Sequence, residues 1–137
     1  MTNKDIITLV NGGFLVATAH SLPVEHFYKW HKFRRAVDKA NTALGAQQRD
    51  LMADCGIDPA KAAEADAEAV TRFNETNARL VAEDAGIEVK ARIPFSLYKG
   101  VYDENKTDRG DIFADVAVEA IILDNLFTEP EEGVGDE

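Results

Sequence analysis

From Val24 onward the apolar positions fall at Phe27, Trp30, Phe33, Val37, Ala40, Leu44, Leu51 and Cys55, mostly three or four residues apart. That spacing places them on one stripe of an α-helix. The stripe predicts a single long helix, Val24 to Cys55, opened by Leu22-Pro23 and closed by Gly56. Proline cannot continue a helix from upstream, but it fits the first turn of the next one. Gly45, in the middle, costs about 1 kcal/mol relative to alanine and marks a place for a bend. At about 1.5 Å per residue the helix would extend about 48 Å, whereas a compact chain of this length has a radius of gyration of only about 14 Å. The molecule is therefore expected to be elongated, or to cover the projecting helix with another subunit.

A second helix is predicted over Ala60 to Ala85, after a turn at Gly56-Ile57-Asp58-Pro59 in which Asp58 is the cap and Pro59 the first helical residue. Val70, Phe73, Asn77, Leu80 and Val81 mark its inner face, and Gly86 is the candidate C-cap. Two long helices with so short a connection predict an antiparallel hairpin. Ile87, Val89, Ala91 and Ile93 alternate with Glu88, Lys90 and Arg92, the period of a half-buried strand that ends or turns to an edge at Pro94. Ile6 to Val10 is rich in β-branched residues, precedes Asn11-Gly12-Gly13, and is the obvious strand partner.

Between these pieces, Phe14 to His20 reads as a short helix or helical turn, and Lys99 to Gly110 as a polar loop. A last helix, capped by Asp108 or Asp111, runs to about Phe127 and is apolar on several sides. Residues 128–137 are acidic, lack apolar periodicity and read as a disordered tail. The expected fold is α+β and predominantly helical, one domain over residues 1–127: a long antiparallel helical hairpin, a small two-stranded sheet and a C-terminal helix.

Charge changes this picture in one place. The chain of 137 residues carries a formal charge of −10, which opposes non-specific binding to bulk nucleic acid. Yet Pro23 to Ala40 interleaves Phe27, Tyr28, Trp30 and Phe33 with Lys29, Lys32, Arg34, Arg35 and Lys39. Nucleotide rings stack on such aromatics and on arginine, while lysine and arginine pair with phosphates. Tyr28, Trp30, Lys32, Arg34 and Arg35 are thus candidate ligand-binding residues for an anionic or nucleotide small molecule. A structural reading stands beside it: Phe27, Trp30 and Phe33 lie at core spacing, and the cations form a solvated face, pairing with Glu64, Asp66 and Glu68 or with a neighbouring subunit.

Other chemistry finds little support. His26 and His31 diverge by roughly 140° on one helix, which is unsuited to shared metal ligation. The Asp103 to Asp111 stretch lacks the order of an EF-hand loop, and Asn11-Gly12-Gly13 matches no phosphate-binding signature. No nucleophile–base arrangement is recognisable, so no catalytic residue, cofactor or enzyme activity is expected. Cys55 is the single cysteine, which points to a reducing compartment. The apolar run over residues 6–19 is interrupted by Asn11-Gly12-Gly13 and too short to span a bilayer, so a cytoplasmic protein without membrane contact is the expectation.

Ile7-Thr8-Leu9-Val10-Asn11-Gly12, Leu22-Pro23, the two-helix stretch Phe27 to Ala85, and Ile87 to Pro94 ahead of Leu123 and Leu126 follow one another in an order that resembles a family of small phage and prophage proteins of unknown function. The resemblance covers most of the chain and carries no catalytic residues. It implies only a phage-encoded, non-enzymatic protein of a bacterial host. Taken with the projecting helix, the expected role is that of a homo-oligomer acting through protein contacts; taken with the aromatic-basic segment, the alternative is sequestration of a nucleotide signal at a subunit interface, as in counter-defence.

Overall fold

A computed structural model describes residues 1–107 and 110–130. The described residues form five α-helices: α1 (Asn3–Asn11), α2 (Val24–Asp54), α3 (Ala67–Ala82), α4 (Tyr98–Glu104) and α5 (Val116–Leu126). Short 3₁₀ turns occupy Phe14–Val16, Pro59–Glu64, Phe95–Leu97 and Ile112–Ala114. The only strand pairing among the described residues is an antiparallel ladder of Lys106–Thr107 (β1) with Gly110–Asp111 (β2), two residues a side. The fold is therefore all-α, not the expected α+β. None of the described helices is long and apolar enough to cross a membrane.

Ile6 to Val10, expected as a strand, lies inside α1. Thr2 and Asp5 form a capping box: the Asp5 amide donates to Thr2 Oγ1 at 3.2 Å, and the Thr2 amide donates to Asp5 Oδ2 at 2.9 Å. Two backbone donors of the first turn are satisfied at once, and helical winding brings Ile6 and Leu9 together into the core. Burial on one helical face outweighs the β-propensity of the run, which is a weak and context-dependent preference. The helix ends at Gly12, where a Cβ would collide with Val118 of α5, and Gly13 turns the chain with φ of 90°.

With its partner taken into a helix, the alternating segment Ile87–Ile93 joins no sheet. Its ends alone are tied: the Ala85 amide donates to Met1 O, and the Ile93 amide to Leu126 O. An isolated parallel bridge between Ile93 and Phe127 holds it to the end of α5.

The long helix forms as expected and continues through Gly45. The second is shorter than expected. Asp58 Oδ1 does accept the Ala60 amide at 2.9 Å, but the turn that follows breaks at Lys61, and α3 starts only at Ala67. Residues 60–66 offer no large apolar side chain to bury, so tertiary packing gives that stretch nothing to lengthen the helix with. α3 then returns along α2, where Gln48 Nε2 donates to Asn77 Oδ1 at 3.0 Å. The first half of the expected loop, Lys99 to Glu104, is instead part of α4. The cap of α5 is Asp115, whose Oδ1 accepts the amides of Ala117 and Val118, and not Asp111; Asp108 and the acidic stretch from residue 131 lie outside the described residues.

The core gathers α1, the first half of α2, α4 and α5. Trp30 contacts Phe14 at a ring separation of 5.2 Å and Phe113 at 6.1 Å, and Tyr98 contacts Phe113 and Phe127. These edge-on and tilted pairs fill the space between the helices.

Candidate functional site

The first half of α2 presents three distinct sides. One carries Trp30, Phe33 and Val37 into the core. Trp30 is 1% exposed, so its ring is covered on both sides by protein and no nucleotide ring reaches it. Its Nε1–H has no hydrogen-bond partner among the described residues.

A second side faces the segment Ile87–Ala91, leaving a groove of about 330 Å³ between helix and segment. Phe33, Ala36, Ile87 and Val89 make its floor apolar, and Tyr28, Lys29, Lys32 and Lys90 stand around it. A shallower depression continues along the helix past Arg35 and Lys39. Tyr28 is 60% exposed, with Lys32 Nζ 5.8 Å from its ring centroid. Lys29 is held in place, its Nζ donating to Arg92 O at 3.4 Å and to His26 Nδ1 at 3.2 Å. His26 can accept there as the neutral Nε2–H tautomer, whose Nε2 lies 3.4 Å from a Glu25 carboxylate oxygen.

The third side carries Arg34 away from the groove. With His20, Phe27, Trp30 and His31 it lines a small hollow of about 80 Å³. His20, Phe27 and His31 stack nearly parallel there, at ring separations of 6.0 and 6.5 Å. Of the five residues singled out from sequence, the structure thus brings Tyr28, Lys32 and Arg35 onto one surface, turns Arg34 to another, and buries Trp30 between them. Lys29, Lys90 and the apolar floor complete the groove. In the sequence Lys90 is only the polar phase of an alternating segment, and nothing local shows that this segment lies along α2.

Electrostatically the groove stands apart from its chain. Among the described residues no carboxylate lies within 4.0 Å of Lys29, Lys32, Arg34, Arg35 or Lys39, and the expected pairing with Glu64, Asp66 and Glu68 does not form. Glu88 and Asp38 are the acidic groups along its edge. Arg92, by contrast, is occupied: its Nη1 donates to Asp124 O at 2.8 Å and to Phe127 O at 3.3 Å, which caps the end of α5. Among the described residues no cluster of three metal-ligating side chains occurs.

Two polar contacts that support the α2 entry escaped sequence reading. Glu104 accepts hydrogen bonds from the Thr18 hydroxyl at 2.7 Å and from the His20 and Ser21 amides at 3.0 and 2.8 Å. Partial burial pushes its carboxyl pKa up, but the bonds from Ser21, Thr18 and His20 outweigh this and hold it below the usual glutamate value. Asn105, buried, accepts from the Thr18 amide and donates to the Thr18 and Val101 carbonyls. On the far side of the core, the Tyr98 hydroxyl donates to Glu119 Oε2 at 2.6 Å; burial, then that bond to a carboxylate, raises the phenol pKa well above its ordinary value.

Comparison with known proteins finds no family model, no curated protein and no solved structure that matches this chain.

Proposed function

We propose that this chain is a non-enzymatic binding protein that works by holding an anionic partner in the groove between α2 and Ile87–Ala91. The observation that carries the reading is the gathering of Lys29, Lys32 and Lys90 about an apolar floor, with Arg35 on the depression beside it and, among the described residues, no carboxylate partner for the helix cations, in a chain of net charge −10. Unneutralised cations beside apolar surface favour a ligand that supplies both negative charge and apolar contact. The setting is the phage-related one that the order of sequence pieces implies, in the cytoplasm, as the short, interrupted apolar run suggests, and the protein acts through protein contacts as an oligomer of this chain. Half-buried Leu51, Met52, Val70, Phe73 and Val81 on the α2–α3 hairpin offer the surface for such self-association. Light scattering across a dilution series is expected to give a mass above that of the 15.0 kDa monomer; a monomer at every concentration removes the oligomer from the proposal.

A second reading, capture of a nucleotide, is favoured by Tyr28. Its exposed ring, with Lys32 over it and Arg35 on the same surface, can stack a base while the cations hold phosphate. Calorimetry with a nucleotide panel distinguishes the two. Salt-sensitive binding that is lost in Tyr28→Ala and in Arg35→Ala supports nucleotide capture, and no heat with any nucleotide leaves the protein-contact reading.

A further inference from the structure

The segment Ile87–Ala91 has the side-chain pattern of a strand and no strand beside it. Ile87 and Val89 are half-buried against the core while Glu88 and Lys90 are exposed. Both flanks are fastened, at Ala85 to Met1 O and at Ile93 to Leu126 O. Between them, no amide or carbonyl of Ile87–Ala91 bonds to any described residue, and the bend at Lys90–Ala91 limits the straight part to its first residues. A backbone with strand-like alternation of its side chains and unbonded amides and carbonyls, lying beside a groove, is a template for adding a strand.

We infer that this edge and the basic face of α2 together form a docking site for an extended acidic peptide of a partner protein. The inference rests on the groove being the working site and names its occupant. Backbone pairing with Ile87–Val89 would supply the direction and register of the bound chain. Its alternate side chains then point to opposite sides, one set onto Phe33 and Ala36, the other toward Lys29, Lys32 and Lys90, so the fitting sequence alternates apolar and acidic residues. The face from Tyr28 to Lys39 is about 17 Å long, enough for about five extended residues. A second copy of the same segment fits poorly, because Lys90 and Arg92 would meet Lys29 and Lys32.

The test uses the ¹⁵N-labelled full chain with three probes: a short peptide alternating valine and glutamate, the same peptide N-methylated at every second amide, and pyrophosphate. The expected result is salt-sensitive shifts of the Ile87–Ala91 amides with the plain peptide, at least about tenfold weaker binding of the methylated one, and loss of binding in Lys32→Glu and in Lys90→Glu. Both lysines are exposed, so these variants keep the fold, and their unchanged spectra elsewhere check it. Equal binding of the methylated peptide, or binding of pyrophosphate alone, overturns the strand-docking inference and leaves the groove reading standing. No response to any probe overturns the groove reading itself.

Discussion

The two halves of α2 belong to one unbroken helix and have opposite surroundings. Trp30, Phe33 and Val37 in the first half are packed from several directions by α1, the Phe14 turn and Phe113. Beyond Leu44 no described residue of the helix is buried, and α3, which runs alongside it, buries just Ala69. The difference shows that the periodicity of a stripe does not report how deeply it is covered. Leu51 and Cys55 repeat the spacing of Phe33 and Val37, yet both stay half-buried. Cover comes from neighbouring elements, and in this chain those neighbours assemble at one end. The same unevenness places the groove: rigid packing behind Phe33 gives the basic side a fixed base, while the other half of the helix has no such support.

The comparison breaks most directly under truncation. Trp30→Ala should cost about 3–5 kcal/mol, near the whole stability of many small domains, whereas Leu51→Ala should cost no more than about 1–2 kcal/mol because its site is half open to water. Urea unfolding measures both, and equal losses would mean that the outer half is buried in an assembly. A smaller effect is expected at the Glu104 clamp, which belongs wholly to the packed end. Its carboxyl pKa is lower folded than unfolded, so its contribution is full above the ordinary glutamate value of about 4.5 and disappears as pH falls through the folded value. Glu104→Gln should flatten that acid-side loss in a pH series of thermal melts; an unchanged slope would show that the carboxylate does not carry it. Tyr98 gives the opposite sign. Its folded pKa is raised, so its contribution is full below about 10 and declines as pH rises further, a decline that Tyr98→Phe should remove. The least effect belongs to the outer hairpin: Gln48→Ala removes one partly exposed hydrogen bond to Asn77 and should cost about 0.5–1 kcal/mol by the same urea measurement.

Much of the helical content was legible because α2 buries, and α3 half-buries, apolar residues at helical spacing. The first strand was misread from the composition of Ile6–Val10, although the Thr2–Asp5 cap that makes it a helix is also written in the sequence. Once that segment became helical, the alternation of Ile87–Ile93 still described correctly which side chains face inward, but not that its backbone would remain without a sheet. At the site, Trp30 carried two signals, core spacing and ligand chemistry, and the structure follows the spacing. Which of the neighbouring cations share a surface depended on where Ile87–Ala91 passes, a long-range contact that no local pattern encodes. The Glu104 and Asn105 contacts are of the same kind, since Thr18 lies 87 positions from Asn105.

The burial of Trp30 has a practical consequence for experiments on this molecule. As the chain's single tryptophan, shielded by Phe14 and Phe113, it is an intrinsic fluorophore embedded in the folded core and set apart from the Tyr28 surface. Its emission should be blue-shifted in the native state and move to longer wavelength on unfolding, while changing little when a ligand enters the groove. Denaturation and binding can therefore be followed on the same sample through separate optical channels.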